Sequence, residues 1–177
     1  ERTFTQTLFI KQHAHIHTHT ATDFWVKHRT FREQPTVMFN KKMIIILEAT
    51  DTSSSDKAVT ISWCTNEYGN EIMSSSTRIP MVQSMEIDAN NDGTLDYTRL
   101  ELRMPLKTTE RVHKVWALAL FEYKLKDFVE VEWEAAAVVD EQSSLPGRGL
   151  VVDGEFSLHQ RDLFSAFQKK YVVFSFF

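Results

Sequence analysis

The chain has 177 residues, of which 42% are hydrophobic and 12% are aromatic, and this predicts one globular domain rather than two. Its formal net charge is −4, and Lys and Arg are scattered among acids, which argues against binding to nucleic acid or to anionic lipid. The single Cys64 excludes an intrachain disulfide, and no apolar window approaches the roughly 18 to 20 residues that a membrane helix needs.

A repetitive histidine tract, HAHIHTHTAT, occupies residues 13–22 near the N-terminus. On a strand, its alternate imidazoles would share one face and form a zinc or copper surface. These imidazoles belong to His13, His15, His17 and His19. The same alternation is what translation of a CA dinucleotide repeat gives, and such biased composition specifies no packed structure. We therefore interpret residues 1–23 as a low-complexity or misannotated tail, with the metal surface as the alternative.

The middle of the chain alternates apolar and polar residues, which is typical of β-strands with one buried face. Residues 43–47 are a branched apolar run, and AVTISWC follows at residues 58–64. The polar stretch TDTSSSDK between them predicts a hairpin tip. TRLELRMPL, residues 98–106, alternates again, and Pro105 is expected to end that strand.

Two more strands are predicted further along the chain. KVWALALFEYKL, residues 114–125, fits a central strand because it is apolar at first and aromatic later, and a helix is the rival interpretation. FVEVEWEAAAVV, residues 128–139, sets three glutamates opposite an apolar face. SSLPGRG, residues 143–149, predicts a loop, and Asp153-Gly154 predicts a tight hairpin between two apolar runs.

The spacing of these signals predicts the fold class. About seven to nine short strands, separated by roughly 8 to 12 residues, are typical of a sandwich rather than of alternating β and α units. We therefore predict an all-β fold, an antiparallel β-sandwich-like domain with irregular N-terminal and C-terminal tails.

The segment IDANNDGTLDY, residues 87–97, places oxygen-bearing side chains at every second position around Gly93. The candidate metal ligands are Asp88, Asn90, Asp92, Thr94 and Asp96. This spacing matches the first nine positions of a calcium loop, in which glycine allows the sharp bend. Arg99 stands where that motif has its bidentate Glu, so Glu101 or water would complete the shell. The alternative is that Asp and Asn form Asx-turns that cap a hairpin.

No sequence motif of an enzyme active site is present. The chain has no Gly-x-Ser-x-Gly elbow, no His-Glu-x-x-His pair and no glycine loop for phosphate, and His113 and His159 are isolated. A metal-dependent hydrolase built on Asp88, Asp92 and Asp96 is the enzymatic alternative. We predict no catalytic residues, no small-molecule substrate and no required cofactor, with calcium as the one candidate ion.

Three segments of this sequence together resemble the transmembrane protein 231 family. They are FWVKHRTFREQPTVMF at residues 24–39, TRIPMVQSMEIDANNDGTLDYTRLELRMPL at residues 77–106, and LVVDGEFSLHQ at residues 150–160. The segments keep their order and spacing. The resemblance is specific because the Phe-Trp-x-Lys opening, the Glu-Gln-Pro-x-Val-x-Phe run and the Asp-x-Asn-x-Asp-Gly-x-x-Asp loop occur in one chain.

The resemblance implies a two-pass membrane protein of the ciliary transition zone, with a large extracytoplasmic domain between two membrane helices. Members are expected to act in the Meckel syndrome complex beside tectonic and meckelin proteins, where they support ciliogenesis and the membrane diffusion barrier. The histidine tract stands where the first helix is expected, and the chain stops before the second. We therefore expect a tail at 1–23, a partial extracytoplasmic domain at 24–163 and an aberrant C-terminal tail at 164–177.

The resemblance further implies binding rather than catalysis, with membrane attachment through helices missing from this chain. Phe24 and Trp25 are candidates for the headgroup layer, where aromatic residues concentrate, and Lys27, His28 and Arg29 would meet phosphates there. The alternative is that Trp25 packs into the core. A different functional class also fits the residues, namely a secreted, calcium-stabilised β-sandwich binding module.

Overall fold

The computed structural model describes residues 2–12, 14–19, 29–54, 57–93, 95–127, 130–156, 164–165 and 170–174. In these ranges the chain forms strands joined by one short helix, α1 (Glu67–Ile72), and one 3-10 turn, Thr52–Ser54. The strands are β1 (Arg2–Gln12), β2 (Ala14–His19), β3 (Arg29–Glu33), β4 (Thr36–Asp51), β5 (Lys57–Cys64), β6 (Met81–Ile87), β7 (Tyr97–Leu106), β8 (Glu110–Leu125), β9 (Glu130–Gly147), β10 (Gly149–Phe156), β11 (Phe164–Ser165) and β12 (Lys170–Phe174). The predicted all-β fold is confirmed.

The described strands pair into two larger sheets and one small one. Five strands form the first sheet in the order β12-β9-β8-β4-β5, and four form the second in the order β10-β1-β7-β6. The small sheet has the order β11-β2-β3. Pairing is antiparallel except between β1 and β10, β2 and β11, and β9 and β12. Both larger sheets are therefore mostly antiparallel, as predicted.

Strand β8 shows why the alternation of apolar residues specified strands. Its side chains at every second position are buried at 5% exposure or less, whereas a helix would have turned them to different sides. These residues are Val115, Ala117, Ala119, Phe121 and Tyr123. The rival helical interpretation of this segment is therefore wrong.

The two larger sheets pack face to face around one hydrophobic core. The five-stranded sheet contributes Val37, Ile45, Leu47 and Phe121, which are fully buried. The four-stranded sheet contributes Phe4, Leu8, Leu102 and Met104. A buried hydrogen bond crosses between the sheets, because the Thr98 hydroxyl donates to the Val37 carbonyl oxygen at 3.0 Å. The molecule is thus a β-sandwich.

Aromatic rings close one part of this core. The ring of Phe121 lies 5.5 Å from that of Phe39 and 5.4 Å from that of Phe156, which joins β10 to the five-stranded sheet. Tyr123 stacks on Trp133 with ring centroids 4.3 Å apart. Burial raises the pKa of the Tyr123 hydroxyl above its usual range, and the nearby carboxylates add to the effect. This hydroxyl therefore stays neutral and contributes packing rather than acid–base chemistry.

The predicted hairpin at Asp153-Gly154 is wrong. Strand β10 runs straight through both residues, which pair in parallel with Phe9 and Ile10 of β1. The pair of turn-forming residues is a local signal, and here hydrogen bonding along a partner strand distant in sequence outweighs it. The predicted loop at residues 143–149 is wrong in extent for the same reason, since strands occupy all of it except Arg148.

The N-terminal residues join the four-stranded sheet. Strand β1 pairs with β7 and β10, and it buries Phe4, Leu8 and Ile10 in the core. Residues 2–12 therefore differ from the tail expected over 1–23, because their own alternation supplies one apolar face. The division at residues 23 and 163 stays a prediction. The expected end of β7 at Pro105 is also corrected, because the strand continues to Leu106.

Several sequence predictions lie outside the described residues. Strand β2 carries part of the histidine tract and pairs through its backbone with β3, but its imidazoles are not among the described side chains. Phe24, Trp25, Lys27 and His28 fall in the range 20–28, which is likewise outside. No helix in the described part of the chain is long and apolar enough to cross a membrane.

Candidate functional site

The loop of residues 88–96 joins the antiparallel strands β6 and β7. The carboxylate of Asp88 accepts the backbone N–H of Asp92 at 3.3 Å and that of Gly93 at 2.9 Å. Asn91 has φ of 59° and Gly93 has φ of 87°, both in the left-handed region that Asn and Gly tolerate best. Asp88 therefore closes the turn that these two residues make.

Two further side chains of this loop also bind its backbone. The side-chain oxygen of Asn90 accepts the Asp92 N–H at 3.0 Å, and its amide donates to the Asp92 carboxylate at 2.9 Å. The carboxylate of Asp96 accepts the Ala89 N–H at 2.8 Å. These are the local bonds by which Asp and Asn stabilise turns. These hydrogen bonds are of the kind that the Asx-turn interpretation expects, and they do not decide whether the loop also binds calcium.

Gln34 ties the loop to the beginning of β4. Its amide nitrogen donates to the Leu95 carbonyl oxygen at 2.7 Å and lies 3.4 Å from the Asp96 carboxylate. The adjacent Glu33 is buried, and its carboxylate accepts two backbone N–H groups from the turn after β8. The Glu-Gln-Pro run and the Asp-rich loop, which the sequence presents as separate motifs, thus form one contact region.

Four of the five candidate calcium ligands lie together in this loop, and Thr94 falls outside the described residues. Glu101, considered as a further ligand, instead binds Arg99 at 3.0 Å and Arg103 at 2.6 Å. Among the described residues, no group of three or more His, Cys, Asp and Glu side chains is arranged to hold a metal ion. Calcium binding at this loop stays a prediction, and the observed chemistry of the oxygens is turn formation.

Strand β6 forms an edge of the four-stranded sheet, and within the described residues it pairs only with β7. Its side chains Met81 and Met85 are 58% and 41% exposed, and the nearby Ile79 is 79% exposed. Such an edge presents backbone N–H and C=O groups in a row, beside flexible apolar side chains. This geometry suits pairing with an extended segment of another protein.

The corresponding edge of the five-stranded sheet is covered. Ser62 in β5 donates its N–H to the Ser76 carbonyl oxygen at 2.9 Å, and its own carbonyl oxygen accepts the Arg78 N–H at 3.0 Å. The hydroxyl groups of Ser62 and Ser76 are also hydrogen-bonded at 2.7 Å. The segment before β6 therefore shields β5, while no described residue covers the outer edge of β6.

Helix α1, which the sequence analysis missed, adds two exposed apolar residues. Tyr68 is 77% exposed and Ile72 is 87% exposed. Asn66 caps the helix by accepting the Tyr68 N–H at 3.0 Å, and this N-cap residue is the signal that could have revealed the helix. Asn70 anchors it, because its side chain binds both the N–H and the carbonyl oxygen of Cys64.

A buried ion pair anchors the covering segment to the sheet. Two nitrogens of the Arg78 guanidinium bind the two oxygens of Glu110 at 2.5 and 2.6 Å. The Lys107 N–H also donates to this carboxylate, at 2.7 Å. The hydrogen bonds from Arg78 hold the pKa of Glu110 below its usual range, against the opposing effect of burial. The pair therefore stays ionised at neutral pH and fixes the position from which β6 begins.

The thiol and the imidazole named in the sequence analysis each have a local partner. The Cys64 thiol is buried and donates to the Asn66 carbonyl oxygen at 2.9 Å. The Nε2 atom of His113 lies 3.2 Å from the Thr50 hydroxyl. Both contacts are structural in kind, since they join neighbouring backbone or strands. His159 is outside the described residues.

Comparison with known proteins identifies the family. The family model described as transmembrane protein 231 matches residues 10–174. Transmembrane protein 231 of Bos taurus is 30% identical over 138 residues, which cover 78% of this chain and 42% of that protein. The Homo sapiens protein gives the same values, and the Xenopus tropicalis protein is 28% identical over 78% of this chain and 43% of its own length. The chain thus spans less than half the length of these relatives.

No solved structure matches this chain. The fold and the family therefore rest on independent observations, namely the sandwich described above and the similarity in sequence. The family model covers far more than half of the chain, including the Glu-Gln-Pro run and the Asp-rich loop that Gln34 joins. On this similarity, the chain belongs to the transmembrane protein 231 family of membrane proteins.

Proposed function

We propose that this chain is a non-enzymatic structural component of the ciliary transition zone. It acts in the Meckel syndrome complex, beside tectonic and meckelin proteins, and supports ciliogenesis and the membrane diffusion barrier. The domain lies on the extracytoplasmic side of the ciliary membrane. The observation that carries this proposal is the family match over residues 10–174, because the motifs in that range are those of the transition-zone family that the sequence resembles.

The open edge at β6 supplies a physical means of assembly. A strand from a neighbouring tectonic or meckelin protein adds to this edge, forms main-chain hydrogen bonds and packs against Met81 and Met85. Of the β5 and β6 edges, β5 is covered by the segment before β6, so within the described residues β6 is the one that remains available. The buried Arg78–Glu110 pair holds this segment, so the edge is presented in a fixed position.

Binding, rather than catalysis, also agrees with the chemistry of the Asp-rich loop. Its carboxylate and amide oxygens accept backbone N–H groups and so stabilise the turn beside the β6 edge. Tyr123, whose pKa is raised mainly by burial, is enclosed in the core. The alternative of a secreted calcium-stabilised module has no separate observation in its favour.

Affinity purification of the tagged full chain from ciliated cells, together with imaging against a transition-zone marker, tests this proposal. Three forms are compared: wild type, the edge variant Met81→Lys/Met85→Lys, and the control Val138→Lys. Val138 is 50% exposed on β9, so the control adds a lysine at a comparable surface position away from β6. Far-UV circular dichroism of all three checks that the sheets are intact.

We expect wild type and the Val138 variant to localise to the cilium base and to retrieve tectonic and meckelin. We expect the edge variant to lose both partners, because a charged lysine on an edge opposes strand addition. A wild-type chain that retrieves neither partner and stays away from the cilium would contradict the proposed function. An edge variant that retrieves both would instead show that β6 is not the contact.

A further inference from the structure

One end of the sandwich has an open groove of about 1150 Å³. It lies between the first residues of β1, the end of β7, the start of β8 and the corner between β9 and β10. The charged residues that line it are Arg2, Glu101, Arg103, Glu110, Arg111 and Arg148. Its volume is comparable to that of sites that hold small ligands.

Strand pairing brings these arginines together from distant parts of the sequence. Thr5 of β1 is opposite Arg103 on one side and opposite Gly149 on the other. Arg148 at the corner therefore lies across β1 from Arg103. A Cβ atom at Gly149 would be 2.9 Å from the Thr5 carbonyl oxygen, which shows how closely the corner approaches β1.

The two acids in the groove are already neutralised. Glu101 is bound by two arginines, Arg99 and Arg103, and its side chain is 8% exposed. Glu110 is bound by two of the three guanidinium nitrogens of Arg78, and its side chain is 1% exposed. Neither acid is left to offset further positive charge.

Three arginines of the groove therefore carry net positive charge into it. Arg2, Arg111 and Arg148 are exposed and form no ion pair with any residue in the part of the chain that the structure describes. Each comes from a different element: the start of β1, the start of β8 and the β9–β10 corner. Because Arg2, Arg111 and Arg148 are far apart in the sequence, their grouping at one end of the sandwich was not visible there.

The number of arginines indicates the chemistry of the ligand. Within this protein, a carboxylate is satisfied by one bidentate guanidinium at Glu110 or by two guanidiniums at Glu101. A phosphate group has more acceptor oxygens and more charge, so it can bind several guanidiniums from different directions. Three unpaired guanidiniums around one concave surface match a phosphate better than a carboxylate.

We propose that this groove binds a phosphate group, carried either by a phospholipid headgroup or by a soluble phosphate ester. The rim supplies apolar surface as well, since Val151 is 70% exposed and Leu145, beside Pro146, is 74% exposed. A basic surface with an apolar rim suits the boundary between headgroups and acyl chains. The inference depends only on the groove and is independent of the proposed function at the cilium.

The test compares the wild-type full chain with two triple variants. The groove variant is Arg2→Ala/Arg111→Ala/Arg148→Ala. The control variant is Lys41→Ala/Lys57→Ala/Lys126→Ala. These lysines are exposed and do not line the groove, and their replacement removes the same formal charge as the groove variant. Thermal unfolding of each variant checks that it remains folded.

The probes separate the sources of phosphate. Titration calorimetry uses inorganic phosphate and myo-inositol trisphosphate, and co-sedimentation uses phosphatidylcholine vesicles with and without phosphatidylserine or phosphatidylinositol bisphosphate. Polyglutamate serves as a carboxylate probe. Nuclear magnetic resonance of the arginine Nε–H groups in wild type gives a readout that needs no variant.

We expect the groove variant to bind the phosphate probes more than about tenfold more weakly than wild type, because each lost charged hydrogen bond contributes substantially. The control is expected to match wild type, and phosphate is expected to shift arginine signals in wild type. Vesicle binding lost with the groove arginines identifies a headgroup, whereas binding to inositol trisphosphate alone identifies a soluble ester. Equal losses in both variants, or binding to polyglutamate without binding to any phosphate probe, would overturn the proposal.

Discussion

Replacing Arg78 by alanine tests whether the buried ion pair holds the segment before β6 onto the sheet. In wild type, two guanidinium nitrogens bind the two oxygens of Glu110 at 2.5 and 2.6 Å. The Glu110 side chain is 1% exposed and that of Arg78 is 24% exposed, so removing Arg78 leaves a largely buried carboxylate without its compensating charge. The variant therefore keeps a buried carboxylate with only the Lys107 N–H as a described partner.

The expected loss is large because one member of a buried pair is removed while the other remains. Such a change costs about 3 to 5 kcal/mol of unfolding free energy. In a chain of 177 residues, each 1 kcal/mol shifts Tm by about 2 to 4 °C, which gives a decrease of roughly 6 to 20 °C. The control is Lys42→Ala, which breaks a more exposed pair with Glu134 at 2.6 Å and should cost about 0 to 1 kcal/mol.

The pH dependence of stability gives a second, independent test of the Arg78–Glu110 pair. The Glu110 pKa is lowered in the folded wild type, so its stabilisation is complete above the unfolded pKa of about 4.3 and is lost as pH falls through the folded value. In Arg78→Ala, the unpaired buried Glu110 carboxylate has a raised pKa, so its protonation at lower pH reduces the destabilisation of the variant. The difference in Tm between Arg78→Ala and wild type, measured by circular dichroism, should therefore become smaller as the pH falls from about 7 to about 4. The argument would be refuted if Arg78→Ala had the same Tm as Lys42→Ala, or if its difference in Tm from wild type did not change with pH.

Three further predictions concern a strand contact, a carboxylate and the Asp-rich loop. Gly149→Ala places a Cβ 2.9 Å from the Thr5 backbone oxygen and should lower the denaturant midpoint, whereas Gly154→Ala meets nothing within 4 Å and should leave it unchanged or slightly higher; equal midpoints would contradict this packing. The Ser53 hydroxyl and N–H hold the pKa of Asp51 to about 2. Ser53→Ala removes the hydroxyl, so a nuclear magnetic resonance titration should show the Asp51 pKa moved back toward 3.8, and an unmoved value would exclude the hydroxyl as a cause. The stability that Asp51 contributes is present above pH 3.8 and lost as pH falls through about 2. Asp88→Ala removes the acceptor for two backbone N–H groups and should cost about 1 kcal/mol in chemical denaturation. Calorimetry with calcium on wild type, Asp88→Ala and Asp92→Ala tests the ion separately, since heat in wild type alone supports a site and no heat in any form leaves only the turn.

The strands that were predicted well are those whose two faces differ in environment. In β8, burial of one face imposes an alternation that is visible without any knowledge of the partner strands. The β4–β5 hairpin was also visible, because a polar stretch separates two apolar runs and the strands pair directly across it. Local patterning therefore predicted the class of fold, since the alternation of apolar and polar residues within each strand shows which face is buried.

The predictions that failed concern contacts between residues distant in sequence. Asp153 and Gly154 carry a strong local turn signal, yet β1 offers them a strand partner more than a hundred residues away. This strand partner is not encoded in the residues nearest to Asp153 and Gly154, so alternation alone could not reveal it.

The loop was predicted in part, and its limits have the same physical origin. The spacing of Asp88, Asn90 and Asp96 correctly indicated side chains that converge on one turn. The sequence did not reveal that Gln34 joins this turn to the start of β4, because 61 positions separate Gln34 from Leu95. A short motif specifies its own local bonds, whereas the neighbour that fixes it in the fold depends on sheet topology.

The groove shows most clearly why net charge along a sequence underdetermines surface chemistry. The chain is acidic overall at −4, and its arginines stand far apart in sequence. Parallel pairing of β1 with β10 brings the first residues of the chain beside the β9–β10 corner, while β7 brings Arg103 to the opposite side of β1. Glu101 and Glu110 at this end are neutralised in ion pairs with arginines. The positive charge of the groove therefore depends on how the strands pair rather than on the composition of the chain. Any substitution that separates β1 from β10, such as Gly149→Ala, should therefore weaken phosphate binding without changing a single charge.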